Sequence, residues 1–319
     1  MTLFYHFDET TPLDGRLALG IEYDGTRFYG FQRLKHAASV QAAVEEALAK
    51  VAGAPVQIHA SGRTDSGVHA TRQIVHFDPP AARSEKAWIF GANTNLPRDV
   101  AIRWVKPVGD DFHSRLGALA RRYRYVFLNQ PSRPVLERHQ VTWCRDPLDA
   151  PAMHRAAQAL VGEHDFSSFR AAGCQSKTPW RQMHFCEVSR HGQLVVIDIQ
   201  GNAFLHHMIR NIAGALASVG RGAKDESYIA ALLAKKSRRD GDVTAPACGL
   251  HFVDSVFDER FALPREPLGP HLLAFTGEWT GDRTLPDNPR IAARRKLSFA
   301  PKAPLPAGEN SVSDTQAKS

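Results

Sequence analysis

The hydrophobic rhythm of this chain passes from alternate-residue to helical spacing and back in one order, twice. That repetition limits the fold more than any other feature. Leu17, Leu19, Ile21 and Tyr23 alternate, as the buried face of a strand requires. Asp24-Gly25 marks a turn. Ser39 then precedes Val40, Ala43, Val44, Ala47, Leu48 and Val51, a helical stripe opened by a capping hydroxyl and closed by Gly53. Val56, Ile58 and Ala60 alternate again, and residues 73–77 form a further strand. Ser84 opens a short helix over 84–92, and 100–107 is a strand. The order is βαββαβ.

The order returns without the sequence. Residues 122–128 alternate basic and aromatic side chains. Asp149 caps a helix through Val161, and 182–189 and 194–200 form a hairpin around His191-Gly192. Residues 204–220 carry Leu205, Met208, Ile209, Ile212, Leu216 and Val219 on one helical face. A helix over 225–235 and a strand over 250–256 follow. Two such units predict an α+β fold of two ferredoxin-like halves, sheets side by side around a central cleft. The halves are 16–115 and 116–262, after a short lead-in at 1–15. The last 57 residues, 263–319, hold 8 of the 20 prolines and few apolar runs. Such composition buries too little surface to offset chain entropy, so a mostly disordered tail is expected, with Leu272–Trp279 able to dock locally.

Composition narrows the function classes. The 319 residues suffice for a core without disulfide staples. Cys144, Cys174, Cys186 and Cys248 include no CxxC pair, which argues against a zinc ribbon or redox pair and for free thiols in a reducing cytosol. No apolar run can span a membrane, and the N-terminus lacks a signal-peptide core, so a cytoplasmic protein is expected. Forty bases against 33 acids give a net charge of +7, which favours a polyanionic partner without requiring one.

The densest chemistry lies between two strands, at Ser61-Gly62-Arg63-Thr64-Asp65-Ser66-Gly67-Val68-His69-Ala70. Two glycines allow a sharp turn and close approach of a ligand. By itself the stretch also fits a Gly-rich turn with an Asp bonding its own backbone. It is not a phosphate-cradling loop of the GxxxxGK[ST] kind.

This loop resembles the signature of the tRNA pseudouridine synthase A family. Further segments follow in order: Gly20–Thr26 with Gly30-Phe31-Gln32, Asp110–Arg115, Arg121–Tyr125, Asp165–Arg170, Gln175–Thr178 and Asn202–Asn211. The resemblance spans about 16–262. Phe31 stands where the family usually has tryptophan, and the tail has no usual counterpart.

The resemblance implies a pseudouridine synthase fold and isomerisation of uridines 38, 39 and 40 in the anticodon stem-loop of tRNA. It implies a homodimer in which one tRNA touches both subunits. It makes Asp65 the catalytic carboxylate, Arg210 its partner and Tyr123 the platform under the target uracil. Arg63 fills the gap left by the flipped base. Arg83, the segment Phe112, His113, Ser114, Arg115 and Leu116, and the segment Gly173, Cys174, Gln175, Ser176 and Lys177 are the expected RNA contacts. The chemistry suits these residues. The N1–C1′ bond breaks, the uracil turns and rejoins through C5, with no redox change or net hydrolysis, so no cofactor is expected. A carboxylate can attack C1′ or take a C2′ proton, and a nearby arginine favours its charged form. An aromatic face and a flat guanidinium both stack on bases. His206-His207 suggests a metal, but helical neighbours diverge by about 100°, so none is expected. Two rivals remain: a non-catalytic RNA-binding protein of RRM-like halves, and an enzyme of small anionic substrates. A carboxylate in the Gly loop argues against the first, the basic and aromatic segments against the second.

Overall fold

The computed structural model describes residues 7–276. Ten strands build one mixed sheet. They are β1 (Leu17–Tyr23), β2 (His59–Ala60), β3 (His69–Phe77), β4 (Val100–Pro107), β5 (Ala120–Asn129), β6 (Thr142–Cys144), β7 (Gly162–Asp165), β8 (Trp180–His191), β9 (Leu194–Gly201) and β10 (Leu250–Val256). The helices are α1 (Val40–Ala52), α2 (Ala92–Asn95), α3 (Ala150–Ala157), α4 (Met208–Gly220) and α5 (Tyr228–Lys235). A π-helical turn, Ala87–Gly91, leads into α2. No helix among the described residues is long and apolar enough to cross a membrane.

Along the sheet the strands run β4-β1-β3-β10-β5-β9-β8-β7, with β2 beside β3 and β6 beside β5. The first-half neighbours are thus β4-β1-β3-β2. Those of the second, leaving aside short β6 and β7, are β10-β5-β9-β8. In each, the fourth strand adjoins the first and the second adjoins the third. The halves join where β10 lies parallel to β3, pairing His251 with His69 and Phe252 with Ala70. The other end of that β3 edge belongs to β2, through His59 and Ala60. The loop 61–68 therefore emerges in the fork between β2 and β10, where the two halves meet.

Alternation along the strands sorts the side chains between two faces. On one face, Leu17, Leu19, Ile21, Tyr125 and Ile197 form a continuous core with Leu48, Trp88, Met153 and Leu216 of the helices and turns. Ser39 caps α1 by accepting from the Ala42 N–H, and Gly53 ends it at φ 76°. Asp149 caps α3 through the Ala152 N–H. On the opposite face two smaller clusters form, around Ala18, Ile74, Trp104 and Phe112 and around Val126, Val196 and Leu273. There Arg122 and Arg124 of β5 share Asp198 of β9. Both arginines are buried, and each meets that one carboxylate.

Other expectations also shift. The strand anticipated from Val56 keeps only His59–Ala60, and the helix from 204 begins only at Met208. The boundary expected at 262 moves. Leu268 and Leu273 are buried, the Arg72 guanidinium donates to the Pro264 carbonyl at 2.5 Å, and Trp104 Nε1 donates to Glu266 at 3.0 Å. Arg124 Nη1 donates to the Gly269 carbonyl at 3.2 Å. A proline-rich segment adds no ladder, but its carbonyls satisfy arginines that the sheet buries. Residues 277–319, the rest of the expected tail, and residues 1–6 lie outside the described residues.

Candidate active site

The loop carrying Asp65 is braced from three sides. At its start, the Ser61 carbonyl accepts from Arg121 Nε at 3.1 Å and Nη2 at 2.9 Å. The Ser61 hydroxyl donates to Gln73 Oε1 at 2.6 Å, and Gln73 Nε2 donates to the Gly62 carbonyl at 2.7 Å. Just before Asp65, Thr64 meets the Tyr23 hydroxyl at 2.8 Å, and its carbonyl accepts from the Phe31 N–H at 3.1 Å. After it, the Ser66 hydroxyl donates to the Phe28 carbonyl at 3.2 Å. The anchors come from β1, β3, β5 and the loop after β1. A Cβ on Gly30 (φ 98°) would stand 2.8 Å from the Thr64 carbonyl oxygen, so glycine is needed for the backbone to pass this closely.

Three side chains from one segment converge on Asp65. Arg210 Nη1 lies 3.5 Å from Oδ2, His207 Nε2 3.6 Å from Oδ2, and His206 Nε2 3.6 Å from Oδ1. The carboxyl side chain is 23% exposed, partly open to solvent. Arg210 is held by Nε donating to the Ala245 carbonyl at 2.8 Å. The histidines precede α4 on a turn, with His207 left-handed at φ 58°. Their rings lie 4.0 Å apart. The helical divergence expected of this pair therefore does not apply. Asp65, His206 and His207 each offer an atom within 4.8 Å of the others, close enough to share a cation, and the ground for setting a metal aside is corrected. Arg210 already supplies positive charge there. Burial, ahead of the opposing pull of Asp65, holds the His207 pKa below the ordinary imidazole value.

Tyr123 lies beneath the loop. Its ring packs edge-to-face on Phe252 at 4.8 Å and Phe204 at 5.2 Å, and its hydroxyl is 3.7 Å from where a Gly62 Cβ would stand. Burial raises its phenol pKa far above the ordinary value, so the group stays neutral. Arg63 projects into solvent. It lines an open groove of about 250 Å³ with Arg115, Phe31, Gln32, Gln41 and His59. Burial, then the charge of Arg115, lowers the Arg63 pKa.

The remaining expected contacts divide. Leu116 is 72% exposed, and Arg115 is exposed beside Arg63. His113 is half-buried, its Nδ1 accepting from the Arg115 and Leu116 N–H groups. Gly173, Gln175 and Lys177 are exposed, Cys174 and Ser176 half-buried. Their loop reaches the site, because Cys174 Sγ accepts from the His206 N–H at 3.4 Å. Burial would raise that thiol, but the His206 and Ser176 N–H groups and Arg170 bring it below its ordinary pKa. Three of the expected contacts have partners within the protein. Phe112 is wholly buried in the opposite-face core. Ser114 is wholly buried and donates to the His59 carbonyl at 2.7 Å. Arg83 binds the carbonyls of Val51 and Ala52 at 3.1 and 3.3 Å, so it caps α1. Alternation within Asp111–Leu116 hinted at the first two, since Phe112 and Ser114 share a phase. Arg121, Gln73 and the two histidines went unassigned at sequence level. His206-His207 alone carried a visible signal, through its place ahead of Arg210.

A single carboxylate lies beneath an arginine and two histidines, on a braced loop where two halves of a sheet meet. Residues 20–115 and 156–258 match the family model described as tRNA pseudouridine synthase. The chain is 54% identical over 259 residues to tRNA pseudouridine synthase A of Citrobacter koseri, spanning 81% of this chain and 96% of that protein. It is 52% identical over 267 residues to the protein of that name from Escherichia fergusonii, spanning 84% and 99%. The chain belongs to the tRNA pseudouridine synthase family.

Proposed function

We propose that the chain isomerises uridine to pseudouridine at positions 38, 39 and 40 of the tRNA anticodon stem-loop, with Asp65 as the catalytic carboxylate. The observation that carries this is the convergence of Arg210, His206 and His207 on Asp65 at the junction of the halves. The strand orders fit two ferredoxin-like halves, and the fork between them receives the flipped nucleotide. Arg63, exposed at the rim, takes the place of the extruded base. Unstacking costs a few kcal/mol, and a guanidinium that stacks and meets phosphate offsets part of that cost. The uracil lies against Tyr123, whose neutral phenol adds no charge near the leaving base. Asp65 attacks C1′ or removes the C2′ proton. The N1–C1′ bond breaks, the uracil turns on the aromatic floor, and C5 bonds to C1′. As C5 bonds, the Asp65–C1′ bond breaks or the C2′ proton returns, so the carboxylate is regenerated. Arg115, Leu116, His113, Gly173, Cys174, Gln175, Ser176 and Lys177 flank the entrance as RNA contacts. The enzyme acts in the cytoplasm as a homodimer, phosphate contacts adding across two subunits. Adjacent uridines at several positions are reached by recognising shape.

The test is pseudouridine mapping on bulk tRNA treated with wild type and with Asp65→Asn. The variant is expected to form no pseudouridine while binding tRNA within a few-fold of wild type. Substantial product from Asp65→Asn would remove Asp65 from the role. Wild-type product confined to positions outside 38–40 would overturn the target assignment.

A further inference from the structure

The isomerisation leaves one proton unassigned. When C5 has bonded to C1′ it still carries its hydrogen, and pseudouridine forms only after that hydrogen departs. Resting on the proposed function, we infer that His207 is the base that takes the C5 proton. The placement follows from connectivity. In the rejoined adduct C5 is bonded to C1′, the atom on which Asp65 acts or the neighbour of the atom from which it takes a proton. His207 Nε2 is 3.6 Å from an Asp65 carboxylate oxygen, so a base stands beside the carbon that must lose its hydrogen.

Three further observations select His207. It holds a left-handed backbone (φ 58°) although it is not glycine, a conformation disfavoured for an ordinary residue. That turn directs the ring at Asp65 instead of continuing α4. The groups facing the imidazole are Asp65 from the loop, His206 from the same turn, Arg210 from α4, and Arg238 after α5. Burial first, then the positive neighbours, favour its neutral form against the pull of Asp65, and the neutral imidazole is the form that accepts a proton. Tyr123 is a poor competitor, because its buried phenol resists ionisation. His206 is the more exposed ring, 43% against 29%, and lies tilted against His207 with ring centroids 4.0 Å apart.

The step balances. The C5–H bond breaks and its proton bonds to His207 Nε2. The electron pair becomes the C5=C6 double bond, while the C6=N1 pair moves onto N1, which takes a proton from water. His207 then releases its proton to water, and no net proton is consumed.

The test uses an anticodon-arm RNA transcribed with uridine deuterated at C5, in single turnover, against the protiated RNA. The variant is His207→Asn, because asparagine tolerates the left-handed conformation and keeps the turn. The expected result is a rate about 10²-fold below wild type, the scale of general-base catalysis. It comes with a C5 isotope effect larger than the wild type's, since deprotonation becomes limiting. A rate within threefold of wild type overturns the assignment. So does a slow variant whose isotope effect is unchanged, which would make His207 a positioning residue for Asp65. Thermal unfolding of His207→Asn is measured alongside, and His207→Gly repeats the comparison if the Asn variant is destabilised. Failure of wild type to form pseudouridine on the arm would instead overturn the proposed function, so the two failures are distinguishable.

Discussion

Arg210 does two jobs with one guanidinium. Nε ties it to the Ala245 carbonyl, and Nη1 faces the Asp65 carboxylate. Truncation therefore separates the contributions. Arg210→Ala loses a backbone hydrogen bond of about 1 kcal/mol and a charge facing the carboxylate proposed to react. We expect a modest fall in melting temperature and a loss of roughly 10²–10³ in single-turnover rate. Combined with Asp65→Asn the losses should be less than additive, because both act on one step. Near-normal turnover by Arg210→Ala would show that the 3.5 Å approach is incidental. The legibility of the site also divides at this scale. Asp65, Arg63, Tyr123 and Arg210 stand inside the short motifs that carry the family resemblance, and that resemblance alone singled them out. Arg121 and Gln73 could not be found that way. Each acts through backbone carbonyls of Ser61 or Gly62, distant in sequence, and a side chain that braces a loop leaves no periodic trace.

The loop Ser61–Val68 is an element without regular hydrogen bonding, so its shape depends on what passes beside it. Gly25 and Gly30 mark the places where the preceding loop runs against it. A Cβ at Gly25 would overlap the Val68 carbonyl, and one at Gly30 would crowd that of Thr64. Gly30→Ala adds strain at φ 98° as well, together about 1–3 kcal/mol. The displaced atoms adjoin Asp65. We therefore expect kcat to fall by much more than tRNA affinity, which the proposed function assigns to the rim. Equal losses in kcat and binding, measured by single-turnover kinetics and filter binding, would mean that Gly30 shapes the whole RNA surface instead. Regular elements were easier to foresee. Ser39 with Gly53, and Asp149, fixed α1 and the start of α3 because caps act locally. The start of α4 escaped, since Leu205 continues the helical stripe while His206-His207 turns off it. Contacts with Asp65, Cys174 and Ala171 hold that turn, and contact lies outside periodicity.

At the scale of the whole molecule, buried histidines and the C-terminal segment set the conditions under which the sheet holds together. Burial lowers the pKa of His184 to about 4, of His76 to about 3, and of His251 to about 3, the last also through His69. An unfolded histidine titrates near pH 6.5, so between that value and about 4 the unfolded chain binds more protons. Stability is then fully present above pH 6.5 and is lost as pH falls toward the folded values, at up to about 1.4 kcal/mol per pH unit for each group. The melting temperature should drop steeply from pH 7 to 4.5, and less so in His184→Gln. A flat profile would show that these rings charge without cost. Composition alone assigned everything past 262 to a tail, since proline richness and weak periodicity do describe 263–276. What composition could not register is that Arg72, Trp104 and Arg124 on the sheet need acceptors, and that Pro264, Glu266 and Gly269 provide them. A chain stopped after Leu263 would expose the surface under Leu268 and Leu273, worth about 3–6 kcal/mol for the two side chains. It would also strip the buried Arg124 of a carbonyl partner. For a body of this size each kcal/mol moves the melting temperature by about 2–4 °C. A fall of about 10 °C or more is therefore expected, against a chain stopped after Thr276, which keeps every contact named here. The fork holding Asp65 lies beside β10, and Asp254 of β10 pairs with Arg72 of β3 under the same segment. Loss of the segment should therefore lower turnover on an anticodon arm as well as stability. Equal melting temperatures and rates for the two truncations would place residues 264–276 outside the working body of the enzyme.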